Sequence, residues 1–64
     1  PDLYWFAAEQ MGLKPQECMV FEDVFLGIAS AKRGGFHTCG GKDHASDAEE
    51  QEIRRVADCF VERF

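Results

Sequence analysis

Four consecutive apolar residues, Cys18-Met19-Val20-Phe21, narrow the fold more than any other segment of this chain. The run is too short for a helix and lacks the period-two alternation of a half-exposed strand, so it reads as a strand over 18–22 buried on both faces. Lys14-Pro15-Gln16-Glu17 ahead of it is turn material. Strands of that kind belong to parallel sheets covered by helices on each side. Val24, Ile28 and Ala31 then form a stripe at spacing four and three, which predicts a helix over 24–33 closed by Gly34-Gly35. A second short strand is expected over 36–39. The middle of the chain is therefore a βαβ unit with its crossover helix.

The flanks extend this α/β pattern. Asp2 is a good N-cap type, and Leu3, Phe6, Ala7 and Met11 follow at helical spacing up to Gly12, giving a helix over 3–11. Its first turn holds Leu3, Tyr4, Trp5 and Phe6, which point around most of the circumference and ask for neighbours on more than one side. Together with a start at Pro1-Asp2 that has no lead-in segment, this leads us to expect that partner structure lies outside the 64 residues. After Gly40-Gly41 the composition turns acidic, and a helix over 48–56 is expected, followed by a strand over 59–62. The positions Ile53, Val56, Phe60, Val61 and Phe64 equally fit a continuing helix, because periodicity does not separate the two.

A chain of 64 residues buries only about 60% of the surface it exposes when unfolded, so it forms at most one small domain. Three cysteines, at 18, 39 and 59, without a C-x-x-C pair read as reduced, cytoplasmic and mostly buried. The longest apolar run, Leu3 to Ala8, is far short of the roughly twenty residues of a membrane span. With net charge −5 and seven scattered Lys and Arg, no phosphate-tracking stripe is present, which argues against nucleic acid as a partner.

Glu22 and Asp23 are adjacent carboxylates where the apolar strand ends and a helix begins. The carboxyl ends of strands in open α/β sheets are where ligands bind. Two hard oxygen donors there suit Mg²⁺, which uses one or two carboxylates plus waters and a substrate phosphate, and the helix N-terminus would attract a phosphate oxygen. The plainer alternative makes Asp23 the N-cap of the helix and Glu22 a solvated loop acid. Elsewhere the signals are weaker. His37 and Cys39, with His44, form no complete zinc pattern. Gly40-Gly41-Lys42-Asp43 follows the second strand at the same sheet edge and reads as a surface loop or as the border of a site. The acids from Asp43 to Glu52 read as a solvated helix face, and no cysteine has an obvious activator beside it in the sequence.

Pro1-Asp2-Leu3-Tyr4, then Val20-Phe21-Glu22-Asp23, Gly27-Ile28, Ala31 and Gly35-Phe36, together resemble the haloacid dehalogenase superfamily, and within it the β-phosphoglucomutase-like branch of sugar-phosphate hydrolases and mutases. The likeness runs from Pro1 to about Thr38, with a weaker echo in Arg55-Val56-Ala57-Asp58-Cys59-Phe60-Val61. Val24 departs from the family's usual Ser or Thr. Gly34 departs from its usual Ala, a change expected to loosen the helix end by about 1 kcal/mol.

The resemblance implies the C-terminal part of a Rossmann-like core without its cap domain, and phosphoryl transfer from a small phosphorylated metabolite through a phosphoaspartyl intermediate. It assigns Glu22 and Asp23 to Mg²⁺ and places the nucleophilic Asp and the Lys upstream, outside the chain. No D-x-D-x-T or V motif occurs in the 64 residues, and Lys14-Pro15 sits after the first helix rather than before it. These residues alone are therefore expected to be inactive. Phosphatase and phosphomutase stay open at this point. So does a different class, a small non-catalytic α/β module binding a partner through Tyr4, Trp5 and Phe6.

Overall fold

A computed structural model describes residues 1–42 and 45–63, so His44, Asp43 and Phe64 of the readings above lie outside the described residues. Helix α1 (Asp2–Gln10) leads through a 3₁₀ turn (Pro15–Glu17) to β1 (Met19–Glu22), α2 (Phe25–Arg33), β2 (His37–Gly41), α3 (Asp47–Val56) and β3 (Cys59–Val61). The strands form one parallel sheet in the order β1-β2-β3, with Val20 opposite Thr38, Glu22 opposite Gly40 and Cys39 opposite Cys59. This is the expected α/β architecture, with a βαβ unit at its centre and a second crossover through α3.

The expectation that β1 is buried on both faces is corrected. Met19 and Phe21 are 45% and 57% exposed, whereas Val20 packs against the cluster of Ala8, Ala31 and Phe36. All three helices lie on the face that carries Val20, Glu22 and Gly40. A Cβ added at Gly40 would run into Ile53 of α3, and one at Gly27 of α2 would run into Glu22. No described helix covers the opposite face, where Met19 and Phe21 remain open to water while Cys39 on the central strand is buried. The continuous apolar run thus records a strand whose second face has no cover among the described residues.

Both glycine-terminated helices end as the sequence predicts. Gly12 (φ +73°) and Gly35 (φ +92°) take the left-handed conformation. Leu13 N–H then donates to the Ala8 carbonyl, and Phe36 N–H to that of Ala31, which satisfies carbonyls the helix ends would otherwise leave open. Gly34 is not simply a weak helix end. A methyl there would stand 2.8 Å from Pro1 Cβ and 3.1 Å from Trp5 Nε1, and the Gly34 carbonyl accepts from Trp5 Nε1 at 2.9 Å. The missing side chain is what lets α1 dock on the end of α2.

The helix starts differ from expectation. Asp2 lies inside α1 and Pro1 occupies the N-cap, because the Pro1 carbonyl already accepts from Trp5 N–H at 2.9 Å. In α3, Ser46 caps through its hydroxyl, which accepts from Glu49 N–H at 3.2 Å and moves the start to Asp47. Arg54 stacks over the Phe60 ring at 4.0 Å, and Ala57 is extended, so residues 59–61 form a strand rather than a continued helix. Asp58 fixes that choice. Its carboxylate accepts from Thr38 N–H at 2.7 Å and from Lys32 Nζ at 2.6 Å, while Asp58 N–H donates to the Thr38 hydroxyl at 3.1 Å. Thr38 is fully buried, and this exchange satisfies its polar atoms. Ile28 and Ile53, also fully buried, each contribute about 1.5–3 kcal/mol of apolar burial between helices and sheet.

Candidate active site

The carboxyl edge of the sheet gathers Glu22 at the end of β1, Asp23 just beyond it, and Gly40-Gly41 at the end of β2. Glu22 belongs to the helix-covered face. Its Oε2 accepts from the Tyr4 hydroxyl of α1 at 2.9 Å, and its carboxyl group lies along α2 where Gly27 has no side chain. A Cβ at position 27 would come within 2.7 Å of Glu22 Cδ. Gly27 therefore makes the room that Glu22 occupies. Tyr4 is held in turn by an edge-on contact with Phe36, with ring centroids 5.9 Å apart. Burial, and then the hydrogen bond to Glu22, push the Tyr4 phenol above its ordinary value, so it remains a proton donor to the carboxylate at neutral pH.

Asp23 does not cap α2. Val24 takes the N-cap position in extended conformation (φ −123°, ψ 130°), and its carbonyl accepts from Gly27 and Ile28 N–H. Asp23 is half-buried and sits between the strand and that cap. The expectation that the N-terminus of α2 would attract a phosphate oxygen is also modified. The first helical amide, Phe25 N–H, donates to Glu49 Oε2 of α3 at 3.0 Å. A carboxylate of the chain itself thus meets the positive end of the helix dipole.

Lys42, at the end of β2, has Nζ 3.7 Å from Glu50 Oε1 and 3.7 Å from Glu62 Oε1. Arg54 bonds the same Glu50 at 2.8 Å and, with Lys42, holds its carboxyl below the usual range. This edge therefore carries a small surface network of charges. His37 and Cys39 fall on the uncovered face, and among the described residues no three His, Cys, Asp or Glu side chains come together as a metal cluster. Glu22 and Asp23 offer a hard, two-carboxylate donor set. That chemistry fits Mg²⁺, which completes its octahedron with waters and phosphate oxygens, and does not fit a closed structural zinc.

Sequence reasoning missed Tyr4, Gly27 and Glu49 as parts of this edge. Tyr4 was grouped with Trp5 and Phe6 as one apolar surface, yet it turns inward to Glu22 while Phe6 is 59% exposed. The spacing of four between Tyr4 and Ala8, which is buried, is the signal that separates Tyr4 from its neighbours. No local signal marks Glu49, whose partner lies 24 residues away.

No protein-family profile matches the chain. Among curated proteins it is 35% identical to the CBBY-like protein of Arabidopsis thaliana over 61 residues, covering 94% of this chain and 19% of that protein. It is 43% identical over 35 residues to fructose-1-phosphate phosphatase YqaB of Escherichia coli, covering 55% of this chain and 19% of the relative. It is 46% identical over 37 residues to hexitol phosphatase A of the same organism, covering 58% and 17%. The chain thus spans less than a fifth of the length of these relatives. The parallel α/β fold and these partial likenesses to proteins named as phosphatases together support a haloacid-dehalogenase-like relationship for the chain.

Proposed function

We propose that the protein is a Mg²⁺-dependent phosphatase acting on a sugar phosphate or another small phosphomonoester, and that these 64 residues are the metal-binding C-terminal part of its Rossmann-like core. The observation that carries this reading is the Glu22-Asp23 pair at the carboxyl end of β1, with Glu22 fixed by Tyr4 in the space left by Gly27. The partial identity to a fructose-1-phosphate phosphatase and a hexitol phosphatase supports the substrate class. The nucleophilic Asp and the phosphate-binding Lys belong to residues outside this chain, since no matching motif occurs within it. A cytoplasmic setting, reading the scattered cysteines as reduced, belongs to the same proposal. No described helix is long and apolar enough to cross a membrane.

In this account Glu22 and Asp23 supply the negative oxygens that hold the cation. The cation, when bound, neutralises phosphate charge so that an anionic nucleophile can approach. Tyr4 keeps one Glu22 oxygen in place, and Gly27 keeps the carboxyl group against α2. The aspartate nucleophile forms the phosphoaspartyl bond as the substrate alkoxide leaves, and water then hydrolyses it. A phosphomutase of the β-phosphoglucomutase type would use the same edge. We favour the phosphatase because two of the three relatives named above, those of Escherichia coli, carry phosphatase names.

Phosphate release by the full-length protein from a panel of sugar phosphates tests the reading. Asp23→Asn should lower kcat/KM by about a hundredfold or more, and a loss below about tenfold would remove Asp23 from the metal site. The rival reading, a non-catalytic module, predicts no Mg²⁺-dependent release at all and an isolated chain that unfolds cooperatively.

A further inference from the structure

We propose that Cys39 and Cys59 form a redox pair in which a peroxide oxidises Cys59 and Cys39 closes a disulfide between β2 and β3. The two residues are register partners on adjacent parallel strands. Neighbouring strands lie about 4.8 Å apart, inside the Cα separation of roughly 4.4–6.8 Å that disulfides span. Residues opposite each other in a sheet share a face, and here it is the face that no described helix covers.

The partners differ in access. Cys59 is exposed, whereas Cys39 is 2% exposed. Each sulfur lies beside the strand backbone, Cys59 Sγ 3.7 Å from the Thr38 carbonyl oxygen and Cys39 Sγ 3.9 Å from that of Gly40. Burial, and then the neighbouring Cys59 thiol, push the Cys39 thiol up to about 11. The order of the two sulfurs follows from access: exposed Cys59 meets the oxidant first, and buried Cys39, beside it in the sheet, resolves. Cys18 is excluded by placement, because it packs with Val20 against the cluster of Ala8, Ala31 and Phe36 on the other face of the sheet.

The chemistry balances. The Cys59 sulfur attacks one peroxide oxygen, an S–O bond forms as the O–O bond breaks, and the departing hydroxide leaves as water with the thiol proton. The Cys39 sulfur then displaces the hydroxyl, an S–S bond forms as the S–O bond breaks, and a second water leaves with the Cys39 proton. Two electrons pass from the sulfur pair to the peroxide, and thiol exchange reverses the bridge.

The test treats the protein with hydrogen peroxide in buffer and in concentrated urea, blocks remaining thiols with an alkylating agent, and maps linked peptides by mass spectrometry. The Cys39–Cys59 link should form about tenfold faster in buffer than in urea, with Cys18 recovered alkylated. Cys39→Ser should abolish the link and leave a sulfenic acid at Cys59 that a dimedone reagent traps. Equal rates in buffer and urea, or links to Cys18 as frequent as the Cys39–Cys59 link, would overturn the proposal. The comparison in wild-type protein decides even where a variant folds poorly.

Discussion

Gly40→Ala is the substitution for which the structure makes the sharpest demand. Gly40 lies one residue before the end of β2, directly opposite Glu22, so any shift there moves the edge that holds the carboxylates. An added Cβ would stand 2.1 Å from Ile53 Cγ2 and 3.2 Å from Phe60 Cδ2. Against an ordinary carbon–carbon contact of about 3.5–4.0 Å, the first distance is short by roughly 1.5 Å. Ile53 is fully buried, so it has no solvent side to move into. Relief requires α3 to rise from the sheet, and overpacking of this severity costs about 3 kcal/mol.

Urea unfolding of the full-length protein measures that cost as a shift in midpoint at constant slope. Ile53→Leu removes the offending branch at Cβ while keeping the volume, at a cost of about 1 kcal/mol or less on its own. Combined with Gly40→Ala it should recover about 1–2 kcal/mol, read as the coupling in a double-mutant cycle. A Gly40→Ala protein within about 0.5 kcal/mol of wild type, or strict additivity in the cycle, would refute the packing of α3 on β2 described above.

Two further outcomes follow from the same geometry. Tyr4→Phe removes the hydrogen bond to Glu22 Oε2 while keeping the ring against Phe36, so Mg²⁺ affinity should fall about tenfold with the circular dichroism spectrum unchanged; an unaltered affinity would show that Tyr4 does not position Glu22. Asp58 has its carboxyl held below the usual range, first by the Lys32 hydrogen bond and then by Thr38 N–H. Its stabilisation is therefore present above an unfolded value of about 3.9 and lost as pH falls through the depressed folded value. Thermal melts across that acid range should lose stability less steeply in Asp58→Asn than in wild type.

The parallel sheet was legible because its signals are local. A short apolar run, a helical stripe and Gly35, which takes positive φ, fix β1, α2 and the turn into β2. The one-sided burial of β1 was not legible, since a strand awaiting cover and a strand already covered have the same composition. The choice between helix and strand at 59–61 rested on Asp58 bonding Thr38 and Lys32, partners 20 and 26 residues away. Periodicity carries no information about such pairs. Glu22 and Asp23 were found by their place at a strand end. What surrounds them, Tyr4 from α1, Gly27 from α2 and Glu49 from α3 bonded to the first amide of α2, is assembled only by tertiary packing.

The central claim is that Glu22 and Asp23 hold a divalent cation for phosphoryl transfer. Calorimetric titration of Mg²⁺ into the full-length protein, alongside its Glu22→Gln and Asp23→Asn forms, tests it without relying on a chosen substrate. We predict saturable binding by the wild type that weakens at least about tenfold in each variant, as loss of an oxygen ligand requires. Equal affinity in all three proteins would contradict the account.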